Sequence, residues 1–176
     1  MVSNHPLRFL LILILATLAC GFPTASDSIT PVPPADTVSP PTAIPALTIE
    51  QINNVQYPLL VPDDGRVVQM ANGTYQSGTD TLSVDYAYIA ATQFFALGDI
   101  TGDGVGDAAV MFLENYGGTG NFGVLAIYAN VAGEPVFLDS LLIDDRPMPN
   151  SISLINGEIF LDVVVHGFED GGYCPT

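Results

Sequence analysis

The sequence predicts a mainly β fold: an antiparallel meander forming a small sandwich or partial barrel, preceded by a signal peptide and a disordered linker. Three observations predict it. From about Ile49 onward, short apolar runs rich in Val, Ile, Phe and Tyr are separated by clusters of Gly, Asn and Asp, the pattern of strands and their turns. Asn156-Gly157 and Asn72-Gly73 lie between such runs, and this dipeptide suits the type I′ hairpin turn, whose two central residues both take positive φ. Helical periodicity is lacking outside a short stretch near Thr48–Val55.

Taken in order, the predicted strands are Arg66–Met70, Thr81–Tyr86, Thr92–Leu97, Ala108–Leu113, Val124–Tyr128, Val136–Ile143, Ser151–Leu154 and Glu158–His166. Gly133 is expected to turn the strand ending near Tyr128 back into Val136–Ile143. No internal repeat of roughly 20 to 50 residues is visible, which argues against a complete propeller.

Charge restricts the partners. Nineteen acids face three arginines and no lysine, for a formal net charge of −16 over 176 residues. Sequence-independent nucleic-acid binding relies on Lys and Arg neutralising phosphates, so nucleic acid is not an expected partner. Such a surface favours cations or a basic or cell-envelope partner, and it also serves solubility alone.

Residues 1–19 have Arg8 ahead of an apolar core, Phe9 to Leu18. That core is too short for a transmembrane helix, which needs about 20 residues, and suits a signal peptide. Thr17-Leu18-Ala19-Cys20 resembles the lipobox of bacterial lipoproteins, with Thr17 where leucine is most frequent. The resemblance implies acylation of Cys20 and an extracytoplasmic, membrane-anchored protein; an ordinary signal peptide with an incidental cysteine is the competing reading. Residues 20–48 then carry seven prolines between Pro23 and Pro45 among Ser, Thr and Ala. Such a segment favours polyproline II and acts as a semi-rigid spacer. Residues 49–176 form the expected acidic β domain.

One motif carries chemistry. In Leu97–Val110, LGDITGDGVGDAAV, the side chains of Asp99, Thr101, Asp103 and Asp107 stand at positions 1, 3, 5 and 9 of a DxDxDG-type loop. Gly104 takes position 6, and Val105 at position 7 offers its carbonyl. Calcium is a hard cation that takes six to eight oxygens, and alternating oxygen side chains on a tight turn can converge on one centre. The competing reading is a Gly/Asp-rich turn that holds no ion. GDITGDGVGDAAV resembles the strand–loop–strand element of FG-GAP repeats. An EF-hand would place Glu at position 12, where Val110 stands, and would need flanking helices. Glu114 is a further ligand only if the next strand returns to the site.

A wider resemblance runs through NNVQYPL, VVQMANGTYQ, the acidic loop, GGTGNFGVLAIYAN, PVFLDSLLIDDR and SISLINGEIFLDVVVHG. It is similar to an uncharacterised family of bacterial secreted proteins and lipoproteins, which implies no activity. Members often end in a tail with Cys-Cys-Pro; here Tyr173 precedes Cys174.

Other signals point elsewhere. Gly118, Gly120 and Gly123 satisfy GxGxxG, but Phe122–Asn130 reads as a strand, whereas a pyrophosphate site needs a helix there. His166 ends an apolar strand and reads as a partly buried structural histidine rather than a base for a Cys174 thiol. The pairs Asp144-Asp145 and Glu169-Asp170 read as solvated surface. The tyrosines Tyr75, Tyr86, Tyr88, Tyr116 and Tyr128 read as core or cross-strand packing. The expected function is therefore a membrane-tethered, extracytoplasmic lipoprotein with a calcium-stabilised β module in a structural or binding role. The alternative is a secreted cell-surface hydrolase using loop carboxylates.

Overall fold

The computed structural model describes residues 43–62, 64–170 and 175. Cys20, Cys174 and most of the leader and stalk lie outside the described residues. The domain is mainly β and antiparallel throughout. One short helix, α1 (Ile49–Ile52), is followed by β1 (Gln56–Pro58), β2 (Val67–Gln69), β3 (Thr74–Ser77), β4 (Ala87–Gly98) and β5 (Asp107–Asn115). Then come β6 (Phe122–Val131), β7 (Glu134–Asp145), β8 (Met148–Ile155) and β9 (Glu158–Val164). No described helix is long and apolar enough to cross a membrane.

Strands β3 to β7 make one five-stranded sheet in simple sequence order, an up-and-down meander, while β1–β2 and β8–β9 form separate two-stranded ribbons. The sheets stay open, and no barrel closes among the described strands. The expected turns are present. Asn72 and Gly73 (φ 52° and 81°), Ala132 and Gly133 (55° and 94°), and Asn156 and Gly157 (52° and 82°) all take the left-handed conformation that type I′ hairpins require. The helix is held by its start: Thr48 caps it, and the Gln51 side chain reaches back to the cap backbone, a capping box.

Burial explains why β5 is central. Its residues Asp107 to Phe112 are all buried, because both faces of the sheet are covered. Ala108, Val110 and Phe112 join one core cluster with Leu47, Ile52, Tyr57, Ile89 and Tyr128, supplied by α1, β1 and the neighbouring strands. Ala109 and Met111 point the other way, into a smaller cluster with Leu125, Phe94, Ile152 and Leu161, where the β8–β9 ribbon lies over the sheet. The result is sandwich-like. Tyr57 stacks on Phe112 at a ring-centroid distance of 4.4 Å. The register of β4 against β5 shifts between Ala91 and Phe95, and the adjacent Phe94 and Phe95, pointing to opposite faces as strand alternation requires, join opposite clusters.

Packing begins slightly before residue 49. Leu47 is buried, its N–H donates to the Gly106 carbonyl at 3.1 Å, and the Asn130 side chain donates to the Pro45 carbonyl at 2.7 Å.

One predicted strand is not one. Thr81–Tyr86 is a loop of turns. The alternating pattern TLSVDY is there, but local acceptors capture the backbone: Asp80 accepts from Leu82 N–H, and Ser83 Oγ accepts from Asp85 N–H. Leu82 and Val84 consequently stand almost wholly exposed, at 87% and 99%. The short strands β1 and β3 escape sequence reading because neither is long enough to show a period.

Candidate functional site

The Asp99–Asp107 loop connects β4 to β5 at the end of the central hairpin, where Gly98 pairs with Asp107. Gly102 and Gly104 take φ of 81° and 84°, the left-handed values that glycine adopts without a Cβ penalty and that coil the loop. Asp99 braces it from inside: Oδ1 accepts from Gly102 N–H at 2.6 Å and Oδ2 from Gly104 N–H at 2.9 Å. Asp103 Oδ1 accepts from Val105 N–H at 2.8 Å.

Asp107 behaves differently. It is fully buried. Its Oδ2 accepts from both Ile100 and Thr101 N–H, at 2.9 and 2.8 Å, and its Oδ1 accepts from Asn130 N–H on β6 at 2.9 Å. This carboxylate fastens the loop to a third strand. Burial alone would raise its pKa, but hydrogen bonds from Asn130, Thr101 and Ile100 outweigh that and hold it below the ordinary carboxylate range.

An ionised carboxylate offers about four lone-pair directions. On that count Asp99 has two in use, Asp103 one, and Asp107 three to backbone N–H groups with the Thr101 side chain bonding it as well. Asp99 and Asp103 are therefore the carboxylates with acceptor capacity left for a cation. Among the described residues no three His, Cys, Asp or Glu side chains form a group that could hold a metal ion. Any ion here would depend on the Thr101 hydroxyl, the Val105 carbonyl and water for the rest of its shell.

Glu114 is not part of this loop. It sits seven residues along β5 from Asp107, or about 24 Å at strand rise. It is fully buried, and both its oxygens are occupied. Oε1 accepts from Tyr57 O–H at 2.6 Å and Leu60 N–H at 3.0 Å; Oε2 accepts from Val61 N–H at 3.0 Å and Tyr116 O–H at 2.7 Å. Burial, then the Glu114 carboxylate, push the Tyr57 and Tyr116 hydroxyls well above the ordinary tyrosine range, so both remain donors. The signal in the sequence was a carboxylate inside the apolar run of β5.

A second polar group closes the far end of β7. Asp144 Oδ2 accepts the His166 backbone N–H at 2.6 Å and lies 2.7 Å from His166 Nδ1. Asp145 pairs with Arg146 at 2.7 Å and accepts Asn121 N–H at 2.8 Å. The acids of this pair are fasteners, contrary to the expectation of a solvated surface. His166 is part-buried as expected, with Nε2 buried and without a hydrogen-bond partner among the described residues. The glycine-rich connection leads directly into strand β6 at Phe122, so no helix terminus faces it.

Acid sensitivity follows from these carboxylates. For Asp144 and Asp145 burial again pushes upward, but hydrogen bonds from His166 and Asp145 N–H to the one, and from Arg146 and Asn121 to the other, prevail and lower the pKa. Groups depressed on folding stabilise the native state above their unfolded value, about 3.9 for Asp, and that stability is lost as pH falls through the folded values. Thermal midpoints followed by circular dichroism should be level at near-neutral pH and drop as pH falls below about 4. A midpoint that holds or rises there would remove the fastening role of these acids.

Among the cavities formed by described residues are three of about 490, 320 and 280 Å³, none of which is lined by more than one carboxylate. Comparison with known proteins returned no matching family model, no matching curated protein and no matching solved structure. What fold and site define is a class only: an antiparallel β domain with an acidic, glycine-coiled loop at one end of its central hairpin.

Proposed function

We propose that the chain is an extracytoplasmic lipoprotein, tethered through Cys20 and held off the membrane by its proline-rich spacer. Its β module takes one calcium ion in the Asp99–Asp107 loop and serves a structural or binding role toward a basic or cell-envelope partner. The observation that carries the calcium reading is the Asp99 brace. By accepting from Gly102 and Gly104, it keeps the loop coiled while each of its oxygens retains a lone pair. Asp99, Asp103, the Thr101 hydroxyl and the Val105 carbonyl are the direct donors, all oxygen, as a hard cation requires. Asp107, with three of its acceptor directions spent, acts through water. The ion locks the β4–β5 turn and relieves repulsion between neighbouring acids.

A ligand bound only by the folded state stabilises it by about 2.7 kcal/mol at a hundredfold excess over Kd. Millimolar calcium is therefore expected to raise the thermal midpoint, and Asp103→Ala to abolish the rise while leaving the calcium-free midpoint nearly unchanged. An identical midpoint with calcium and with chelator ends the reading. None of the three cavities described above brings together the paired carboxylates that the hydrolase alternative needs.

A further inference from the structure

The largest of the three cavities, about 490 Å³, shares no lining residue with the acidic loop and has a different character. It lies between the β1–β2 ribbon and the start of β7, lined by Val55, Pro58, Val67, Val136 and Phe137 together with Glu134. Its volume falls in the range of small-molecule sites, about 300–1,000 Å³.

Three observations limit what it accepts. Part of the apolar wall is uncovered: Val67 is 56% and Val136 44% exposed, although each is a strand residue. The one charged lining side chain is Glu134, which forms no ion pair among the described residues. The two arginines of the described domain are engaged elsewhere, Arg66 with Asp64 and Arg146 with Asp145, both at 2.7 Å. Neither arginine among the described residues therefore pairs with Glu134.

The frame around the cavity is fixed. Gln51 ties α1 to the Gly133 carbonyl at the turn before β7, at 2.8 Å. Asn54 is held by the Glu50 carbonyl and Asn72 N–H, and Gln69 donates to the Asn54 carbonyl at 2.7 Å. These bonds engage the Gln69 amide NH₂ as donor and the Asn54 side chain through both its oxygen and one N–H, which leaves the Gln69 carbonyl oxygen as an acceptor.

We infer that this cleft binds an aliphatic ammonium: an apolar stem lies along the exposed Val67 and Val136, and the charged head meets Glu134. Long cationic side chains divide in this way between apolar surface and water, and the domain's negative field concentrates cations around it. The same chemistry is offered by a free polyamine and by a lysine of a partner protein. The inference deepens the basic-partner part of the proposed function and is independent of the calcium loop.

The test is calorimetric titration of the full chain in chelator with two probes, spermidine and acetyl-Gly-Lys-Gly-amide, against octane-1,8-diol as a neutral stem. One spermidine per chain identifies a free amine, and saturable binding of the peptide alone identifies a partner's lysine; the diol is expected not to bind. Glu134→Gln should weaken the binding probe at least tenfold, while Glu158→Gln, which removes an equal charge at the β8–β9 turn, should leave it unchanged. Equal effects of the two substitutions, unsaturable uptake, or binding of neither probe overturns the inference. The calcium-dependent rise in midpoint is read separately, so failure here is distinguishable from failure of the loop.

Discussion

Glu114→Gln is expected to cost the domain about 3–5 kcal/mol, the scale of breaking a buried charged network, out of a total stability of roughly 5–15 kcal/mol. The carboxylate accepts four hydrogen bonds, two at each oxygen. An amide keeps one oxygen and turns the other into a donor. Whichever way it is placed, it faces one backbone N–H and one tyrosine hydroxyl with its own NH₂. The hydroxyl can rotate away; the backbone N–H of Leu60 or Val61 cannot. A buried donor left unsatisfied costs about 1–3 kcal/mol, and a lost bond to a charged group about 1.5–3. Because the group joins β5 to the segment after β1, the damage is not confined to one strand. Tyr116→Phe, which removes a single donor, should cost nearer 1 kcal/mol. Urea unfolding followed by circular dichroism measures both. Equal, small losses for the two variants would mean that Glu114 is not the hub its geometry describes.

Asp107→Ala is the second large effect. Three N–H groups lose their acceptor. Water can reach the half-buried Ile100 and the exposed Thr101, but the Asn130 N–H is buried. The expected loss is about 2–4 kcal/mol, the cost of one buried unsatisfied donor and two weakened bonds to a charged acceptor. It should be present with or without calcium. Asp103→Ala should behave in the opposite way, nearly neutral in chelator and damaging only when calcium is present. If Asp107→Ala is as stable as the native chain in chelator, the carboxylate does not fasten the loop to β6.

These contrasts show which parts of the protein were legible in the chain. The GDITGDGVGD stretch announces an acidic loop by composition and spacing alone, and the structure places Asp99, Thr101, Asp103, Val105 and Asp107 in one connection between two paired strands. Spacing could not tell that Asp107 is spent on three backbone donors, because one of them, Asn130, comes from a strand far along the chain. Glu114 reads as an interruption of the apolar pattern of β5; its partners Tyr57, Leu60 and Val61 lie more than fifty residues away. Thr81–Tyr86 shows the converse, a strand-like alternation that side-chain acceptors turn into a loop.

The chain by itself determined the mainly β class, the type I′ turns, the short capped helix and the location of the acidic loop. All of these depend on near neighbours: periodicity, positive φ at Asn-Gly, and a cap three residues from its partner. Only the tertiary structure decided that β5 is covered on both faces, that Glu114 and Asp107 hold strands together at opposite ends of it, and that Glu134 lines a cleft with Val67 and Val136. Those outcomes depend on which distant segments meet, and burial then sets the strength of every polar contact, a quantity that no local pattern encodes.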